Sequence, residues 1–393
     1  MTSTARVVIV GASIGGLTTA ETLRAEGFDG EIVLVGDEPH LPYTRPPLSK
    51  QILKGEWLPE QATIRAGHEL DGLGIRVLTG RAANGLDVDA RVLLTDAGPL
   101  AYDELVIATG TEPRTHPGLP AAPSLRTMDD ALHLRDRLDG ARRVAVVGSG
   151  ILGSEIAGAA RAHGSETLLV GRSGTLSFGG VGTLLTDELA ELHTDNGVEL
   201  ALRAGILGSR SASGGLTELT FDDRTVRTFD LVVAMIGGSP RTGWLSSSPL
   251  DISDGVACDA VGAAAPGIWA VGDVAAWEDP ATGRHVRVEH QSHAIEQAIA
   301  VATRIAHGGE SPRPVPLFWS EIHGARIHAY GWFDPRTPLV DITADEGARG
   351  VVYGSSDARG DVRGVVGWNA SPREFRAARA RVAAASTPAT ANV

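Results

Sequence analysis

Cysteine is almost absent from this 393-residue sequence, which holds only Cys258. A single thiol cannot form a disulfide within the chain, a CxxC redox pair, or the cysteine cluster that zinc or an iron–sulfur centre requires. Redox chemistry that passes through paired cysteines is therefore excluded, and we expect Cys258 to be a structural or surface residue.

Long hydrophobic runs and an excess of positive charge are also missing. No apolar run approaches the ~20 residues that span a bilayer, and the strand-like opening predicts that no signal peptide is present. The net charge of −13 argues against nucleic acid or an anionic membrane as a general partner. We therefore expect a soluble cytoplasmic protein, and its length suggests two or three domains.

Glycine, in contrast, is abundant, and the first glycine-rich segment follows an apolar run at 6–10. This segment, GASIGG at 11–16, leads into a predicted helix over 14–25 and a second strand over 31–35. In such a βαβ unit the glycine turn admits a pyrophosphate at the helix N-terminus, and an acid such as Asp37 meets a ribose hydroxyl. The fingerprint is imperfect, because a serine replaces its second glycine.

The same signal occurs again 137 residues later (148 − 11). A strand at 142–147, GSGILG at 148–153 and a strand at 166–170 form a second unit with a complete GxGxxG. Two fingerprints, each in a βαβ context, predict two dinucleotide sites. Gly171 takes the place of the expected acid and Arg172 follows, which leaves NADH open but favours NADPH, because an arginine can bind its 2′-phosphate.

Further apolar runs outline the rest of the chain. Strands at 105–110 and 231–237 end in glycine before a proline and predict chain crossings between domains. A strand over 268–273 ends in Gly-Asp, and a helix is predicted over 292–306. Beyond residue 312 the pattern changes to short strands, which predicts an α+β domain.

A proline-rich stretch, LPYTRPPLSK at 41–50, carries a cation on each side of two prolines. Its three prolines exclude a helix interior and a central strand, and the residue before each proline is expected to be extended. From these residues alone, a solvated surface loop is the alternative to a rigid loop that holds its two cations beside a functional site.

The order of PYTRPPLSK, ATGTEPR, GSGILGSE, AMIGGSPR, IWAVGD and PLFWS resembles the FAD-dependent ferredoxin reductases of oxygenase and P450 systems, such as putidaredoxin and rubredoxin reductases. The resemblance spans about residues 5–382. It implies an α/β fold with two interleaved Rossmann-like domains, one for FAD (1–113 and 237–311) and one for NAD(P)H (114–236). A C-terminal α+β interface domain (312–393) would follow.

The resemblance also implies roles for individual residues. FAD contacts are expected from Gly11, Ser13, Gly15, Gly16, Asp37, Arg45, Lys50, Thr109, Gly110, Arg126, Asp273 and Gln291. Nicotinamide nucleotide contacts are expected from Gly148, Gly150, Ile151, Gly153, Glu155, Arg172 and Gly237. Three of the predicted site residues are expected to be catalytic. Lys50 would lie beneath the flavin, Glu155 would pair with Lys50, and Trp319 would lie beside the exposed flavin face. No metal site is predicted.

The implied enzyme passes a hydride from NADH or NADPH to FAD, then single electrons to a ferredoxin-type iron–sulfur protein that serves an oxygenase. An acidic ferredoxin would dock on a basic patch that contains Arg373, Arg376, Arg379 and Arg381. The i, i+3, i+6 spacing of the first three puts them along roughly one helical face, and a solvated helix surface is the alternative. Two alternatives fit the same motifs: an NAD(P)H oxidase or quinone or dye reductase, and an FAD-dependent binding or signalling protein resembling apoptosis-inducing factor. Either a monomer or a homodimer fits the sequence.

Overall fold

The structure is a computed structural model that describes residues 5–280, 282–309, 315–343 and 350–386, with side chains as far as Val382. Contacts divide the chain into two compact units, each assembled from three separate stretches. The first unit comprises 1–44, 60–112 and 238–314, and the second comprises 45–59, 113–237 and 315–393. The C-terminal stretch thus shares a unit with the second fingerprint. The division into an FAD domain, an NAD(P)H domain and a C-terminal interface domain stays a prediction.

The described residues form seven α-helices and 26 strands, which include the two βαβ units that the sequence predicts. The helices are α1 (Ile14–Ala25), α2 (Gly67–Gly72), α3 (Met128–Leu138), α4 (Ile151–Ala162), α5 (Thr186–Asp195), α6 (Gln291–His307) and α7 (Pro372–Ser386). The strands are β1 (Arg6–Val10), β2 (Glu31–Val35), β3 (Ile75–Leu78), β4 (Ala83–Asp87), β5 (Val92–Thr95), β6 (Leu100–Ala101), β7 (Glu104–Ile107), β8 (Thr111–Pro113), β9 (Arg143–Val147), β10 (Glu166–Gly171), β11 (Val198–Leu202), β12 (Ile206–Ser211), β13 (Thr217–Phe221), β14 (Val226–Phe229), β15 (Leu231–Ala234), β16 (Gly238–Pro240), β17 (Val256–Cys258), β18 (Ala263–Ala265), β19 (Ile268–Ala270), β20 (Ala275–Asp279), β21 (Arg284–Val286), β22 (Leu317–Ile322), β23 (Ala325–Gly331), β24 (Val340–Asp341), β25 (Val351–Ser356) and β26 (Val362–Trp368).

The first unit is built on a six-stranded sheet with the order β18-β19-β7-β1-β2-β3, in which every pair except β18–β19 is parallel. Its inner strands are continuous apolar runs because both faces of a parallel sheet are covered. Val7, Val8 and Ile9 are accordingly fully buried. Helix α1 packs against α6, and the end of β1 at Val10 places the first glycine turn at the carboxyl edge of the sheet.

The second unit contains a parallel sheet with the order β11-β10-β9-β15, which carries the second glycine turn. An antiparallel sheet, β12-β13-β14, and a five-stranded antiparallel sheet, β22-β23-β26-β25-β24, complete it. Helix α7 packs on β26, and a single 3₁₀ turn over Pro46–Ser49 packs against α3 and α4. The proline-rich stretch is therefore a packed part of this unit.

The conformation of Arg45 differs from the prediction. Its φ of −82° and ψ of −31° are helical, although a residue before proline favours extended backbone. The reason is that Arg45 caps the 3₁₀ turn: its carbonyl oxygen accepts the N–H of Leu48 at 2.9 Å, which requires a helical ψ. Pro46 and Pro47 occupy the first turn positions, where proline is tolerated.

Three strands end earlier than predicted. Strands β7, β15 and β19 each stop three residues before the end of the predicted run. A glycine with positive φ lies among the residues left out each time: Gly110, Gly237 and Gly272. Extended backbone cannot continue through that conformation, so the glycine turn replaces the last part of the strand.

Candidate functional site

The first glycine turn is shaped by close approach of the backbone. Gly11 has a φ of +117°, and a Cβ on it would lie 2.2 Å from the carbonyl oxygen of Ala108. A Cβ on Gly16 would lie 2.1 Å from the carbonyl oxygen of Gly11. Ser13, at the second glycine position, is the extended N-cap residue of α1. The turn thus leaves the N-terminal N–H groups of α1 at the sheet edge, where an anion is stabilised.

The predicted ribose acid is paired with an arginine that sequence reasoning missed. Arg241 Nη2 lies 2.7 Å from Asp37 Oδ2, and both side chains are about 40% exposed. The backbone of Arg241 is fixed by two predicted site residues, because its N–H donates to Gly110 O at 3.0 Å and its carbonyl oxygen accepts from Thr109 Oγ1 at 2.9 Å. The signal was available in the AMIGGSPR motif, which ends in this arginine.

The turn that carries Asp273 is fixed at both ends by side chains. Gly272 N–H donates to Gln297 Oε1 at 2.8 Å, and Arg287 Nη1 donates to Asp273 O at 2.8 Å. Gln297 is 1% exposed, and Arg287 also pairs with Glu289 at 2.8 Å. These two positioning residues were missed. Gln297 could have been found as one of two polar residues, with His293, on the mainly apolar buried face of α6.

Helix α6 begins at the predicted residue Gln291, one residue before the predicted start. His290 is the N-cap residue, and its Nδ1 accepts the N–H of Ser292 at 3.3 Å. Thr44 Oγ1 donates to Gln291 Oε1 at 3.3 Å. The helix spans 17 residues and directs its partial positive charge to this end. Its action on a flavin stays a prediction.

In the second unit, the predicted Lys50–Glu155 pair is present and buried. Lys50 Nζ lies 2.7 Å from Glu155 Oε1, and both side chains are 8% exposed. The carboxylate also accepts hydrogen bonds from the hydroxyls of Ser49 and Ser320, the latter at 2.5 Å. Three donors therefore satisfy a carboxylate that would otherwise carry unpaired charge in the interior. Sequence reasoning missed both serines.

Trp319 completes this cluster. The Lys50 Nζ atom lies 5.4 Å from the centre of the Trp319 ring, within the range of a cation–π interaction. The ring is 36% exposed, so one edge reaches solvent while the other side contacts the lysine. The three residues predicted to be catalytic thus lie together in the second unit. The guanidinium of Arg45 donates to the carbonyl oxygen of Arg126 in the same unit.

The second glycine turn opens on a cavity of about 530 Å³. Four predicted residues line it: Gly148, Gly150, Arg172 and Gly237. Ile151 begins α4, and a Cβ on Gly153 would lie 1.9 Å from Gly148 O, which repeats the geometry of the first turn. Arg114 and His116 also line the cavity and were missed, although Arg114 ends the ATGTEPR motif and so could have been found.

The register of the two parallel sheets relates the residues after β10 to those after β2. Gly11 N–H donates to Val35 O at 2.7 Å, and Gly148 N–H donates to Val170 O at 2.8 Å. Position 36 in the first unit therefore corresponds to position 171 in the second, and Asp37 corresponds to Arg172. Both preceding positions are glycine for a steric reason: a Cβ would lie within 2.7 Å of the side chain at 12 or 149. By this register Arg172 lies where the first unit carries Asp37.

Other candidate chemistry is limited. Burial raises the pKa of the Cys258 thiol to about 12, with a smaller contribution from Asp259, and the residue is 2% exposed. Within the described ranges, no three His, Cys, Asp or Glu side chains are grouped so that they could hold a metal ion. None of the helices described is long and apolar enough to cross a membrane.

The fold and its two glycine turns match a known class of enzymes. The family model described as pyridine nucleotide-disulphide oxidoreductase matches residues 5–298. The chain therefore belongs to this family of oxidoreductases, and the predicted α/β fold is confirmed.

The relatives narrow the class. The ferredoxin reductase component of a chlorobenzene dioxygenase from Cupriavidus sp. (strain PS12) is 36% identical over 94% of this chain and 90% of its own. Putidaredoxin reductase CamA from Pseudomonas putida is 31% identical over 82% and 79%. The solved covalent putidaredoxin reductase–putidaredoxin complex matches at a TM-score of 0.88 and 27% identity, over 96% of this chain and 93% of that one. The predicted resemblance to ferredoxin reductases is confirmed.

Proposed function

We propose that this protein is an FAD-dependent NAD(P)H:ferredoxin oxidoreductase that supplies an iron–sulfur protein serving an oxygenase. The first unit would hold FAD and the second would hold the nicotinamide nucleotide. FAD, when bound, accepts the hydride and releases two electrons singly to one-electron acceptors. A cytoplasmic location and a monomeric or dimeric state accompany this proposal as predictions.

Residues of the first unit fit the dinucleotide. A Cβ at Gly11 or Gly16 would collide with a backbone carbonyl oxygen, so these glycines permit the tight turn and the close helix packing on which a pyrophosphate site depends. Asp37 would accept hydrogen bonds from the ribose hydroxyls. These hydrogen bonds would replace part of its ion pair with Arg241. The fixed backbone of Asp273 would hold that carboxylate in place for the ribityl chain.

The buried cluster of the second unit carries the proposal. Lys50 is held between Glu155 and the ring of Trp319, so its charge has a fixed position before any electron moves. Preorganised charge of this kind requires no reorganisation during the reaction. The exposed edge of Trp319 offers a surface for an electron acceptor, which supports a protein acceptor such as ferredoxin.

The test compares acceptors under anaerobic and aerobic conditions. The FAD-loaded protein is mixed with NADH or NADPH, and the oxidation of the nucleotide is followed with and without a [2Fe–2S] ferredoxin. We expect flavin bleaching by at least one nucleotide, followed by ferredoxin reduction at two ferredoxins per nucleotide.

The contrary outcomes are distinct. Oxygen uptake at the same rate with and without ferredoxin would identify an oxidase. Binding of FAD without bleaching by either nucleotide would replace the enzyme with a binding protein.

A further inference from the structure

We propose that the second nucleotide-binding fold selects NADPH over NADH, and that Arg172 binds the 2′-phosphate of the adenosine ribose. This inference rests on the proposed function, in which that fold binds the nicotinamide nucleotide. It assigns a specificity-determining residue to the site and names its substrate.

The first support is a reversal of charge at one position of a repeated fold. Asp37 and Arg172 are the second residues after the equivalent valines of β2 and β10, and each fold makes the same glycine N–H contact beside them. A carboxylate there accepts hydrogen bonds from the ribose 2′-OH and repels a phosphate. A guanidinium presents several N–H donors that match a phosphate group.

The second support is that no carboxylate can substitute at the neighbouring position. A Cβ on Gly171 would lie 2.7 Å from Ser149 Oγ and 2.9 Å from Leu202 Cδ2. An acid at 171 would therefore displace the second residue of the glycine turn. The strand end therefore offers the nucleotide a cation at 172 and leaves no room for an acid at 171.

The third support is the charge of the cavity wall. Arg114, His116 and Arg172 line the cavity, and neither aspartate nor glutamate is among its lining residues. In the described part of the chain, no hydrogen bond or ion pair occupies the Arg172 guanidinium, whereas Asp37 in the first unit is paired with Arg241. The positive charge of Arg172 is thus available to a ligand.

The fourth support is that the segment carrying Arg172 is held against the glycine turn. Ser149 Oγ donates to Thr175 O at 3.0 Å, and Ser177 N–H donates to Ser149 O at 3.0 Å. On the opposite side, Arg203 N–H donates to Ser173 O at 3.0 Å. A ligand at the glycine turn therefore meets a segment whose backbone already has a defined position.

The experiment measures binding separately from turnover. Isothermal titration of the FAD-loaded enzyme compares 2′,5′-ADP with 5′-AMP, which differ only in the 2′-phosphate. We expect 2′,5′-ADP to bind at least about tenfold more tightly, because its 2′-phosphate accepts charge-assisted hydrogen bonds that 5′-AMP cannot accept. Arg172→Gln should remove most of that preference while leaving 5′-AMP affinity within about twofold.

A second variant and a control complete the design. Arg172→Asp restores the acid of the first fold and should reverse the ratio of kcat/KM for NADPH and NADH. Arg137→Gln replaces an exposed arginine of α3 and should leave both ratios unchanged. Equal affinity of the unaltered enzyme for the two probes, or a preference that survives Arg172→Gln, overturns the inference. If neither probe binds, the proposed function is overturned as well. If 2′,5′-ADP binds preferentially but ferredoxin is not reduced, only the proposed function is overturned.

Discussion

At the scale of single residues, the buried Lys50–Glu155 pair has the largest consequence. Ser49 and Ser320 satisfy the rest of the carboxylate, so removing one member leaves several polar groups without partners. Breaking a buried ion pair by removing one partner typically costs about 3–5 kcal/mol, because the remaining charge stays in the interior.

Glu155→Gln should therefore lower the free energy of unfolding by about 3 kcal/mol, since the amide cannot neutralise Lys50. Urea denaturation of the FAD-free protein at pH 7 measures the change. Replacing both partners, in Lys50→Met/Glu155→Leu, should cost less than Glu155→Gln alone.

The matched control is Glu321→Gln, which changes a half-buried glutamate next to Ser320 on β22. It should shift the unfolding free energy by less than about 0.5 kcal/mol. If Glu155→Gln behaves like this control, the pair contributes nothing to stability.

At the scale of elements, the hairpin of β22 and β23 is joined to α5 by two histidines. His323 lies in the turn with a φ of +48°, and its Nε2 is 3.0 Å from Nδ1 of His193. His193 is fully buried, and its Nε2 has no hydrogen-bond partner in the described residues. Burial lowers the pKa of both imidazoles to about 4. The charge of His323 lowers the pKa of His193 further, and the charges of Arg161 and Lys54 lower the pKa of His323 further.

This pair should make the second unit less stable in acid. In the unfolded chain the histidines bind protons near pH 6.5, but in the folded chain only near pH 4, so stability is full above pH 6.5 and falls as the pH drops toward 4. For His193 the loss is at most about 3 kcal/mol. Urea denaturation at pH 7.5 and pH 5 measures the slope, which should decrease in His193→Gln.

His68→Gln removes an exposed histidine and serves as the control. Its unfolding free energy should depend on pH with the same slope as that of the unaltered protein. An unchanged slope in His193→Gln would show that these histidines do not govern acid sensitivity.

Elements also show how far the sequence could predict the fold. The bounds 6–10, 14–25 and 31–35 were predicted without error, because apolar runs and a glycine turn define them locally. Strand β22 was not predicted, because two of its residues depart from the usual pattern: the apolar Trp319 is exposed and the polar Ser320 is buried. Ser320 can be buried only because Glu155, 165 residues away, accepts its hydrogen bond. That pairing depends on tertiary structure, as do the contacts of Gln297.

At the scale of the whole molecule, a net charge of −13 would repel an acidic ferredoxin unless a local basic surface exists. The four predicted arginines lie on α7 and are all exposed, and the first three share the helical face predicted for docking. Arg379 stacks on the ring of Tyr330 at 4.3 Å and so has a structural contact of its own. A docking test should therefore change the first two only.

Arg373→Glu/Arg376→Glu should raise the KM for ferredoxin about tenfold at low ionic strength, because steering by opposite charge is replaced by repulsion. The effect should shrink as salt is added, and dye reduction should be unaffected. Steady-state kinetics at two ionic strengths measures both.

The control Arg224→Glu/Arg284→Glu makes the same change in net charge at two other exposed arginines. An equal rise in KM for the control would assign the effect to total charge and remove α7 from the docking surface.

The interleaving of the two units has a consequence for protein synthesis. Strand β1 pairs with β7, and β7 pairs with β19, so the first sheet is complete only after residue 270 has been made. The second unit needs β22 to β26, which are made after all strands of the first unit. The first unit therefore leaves the ribosome with an open sheet edge at β7, which is a site of misassociation. Yield in the cell should depend on chaperones more than the stability of the finished enzyme would suggest.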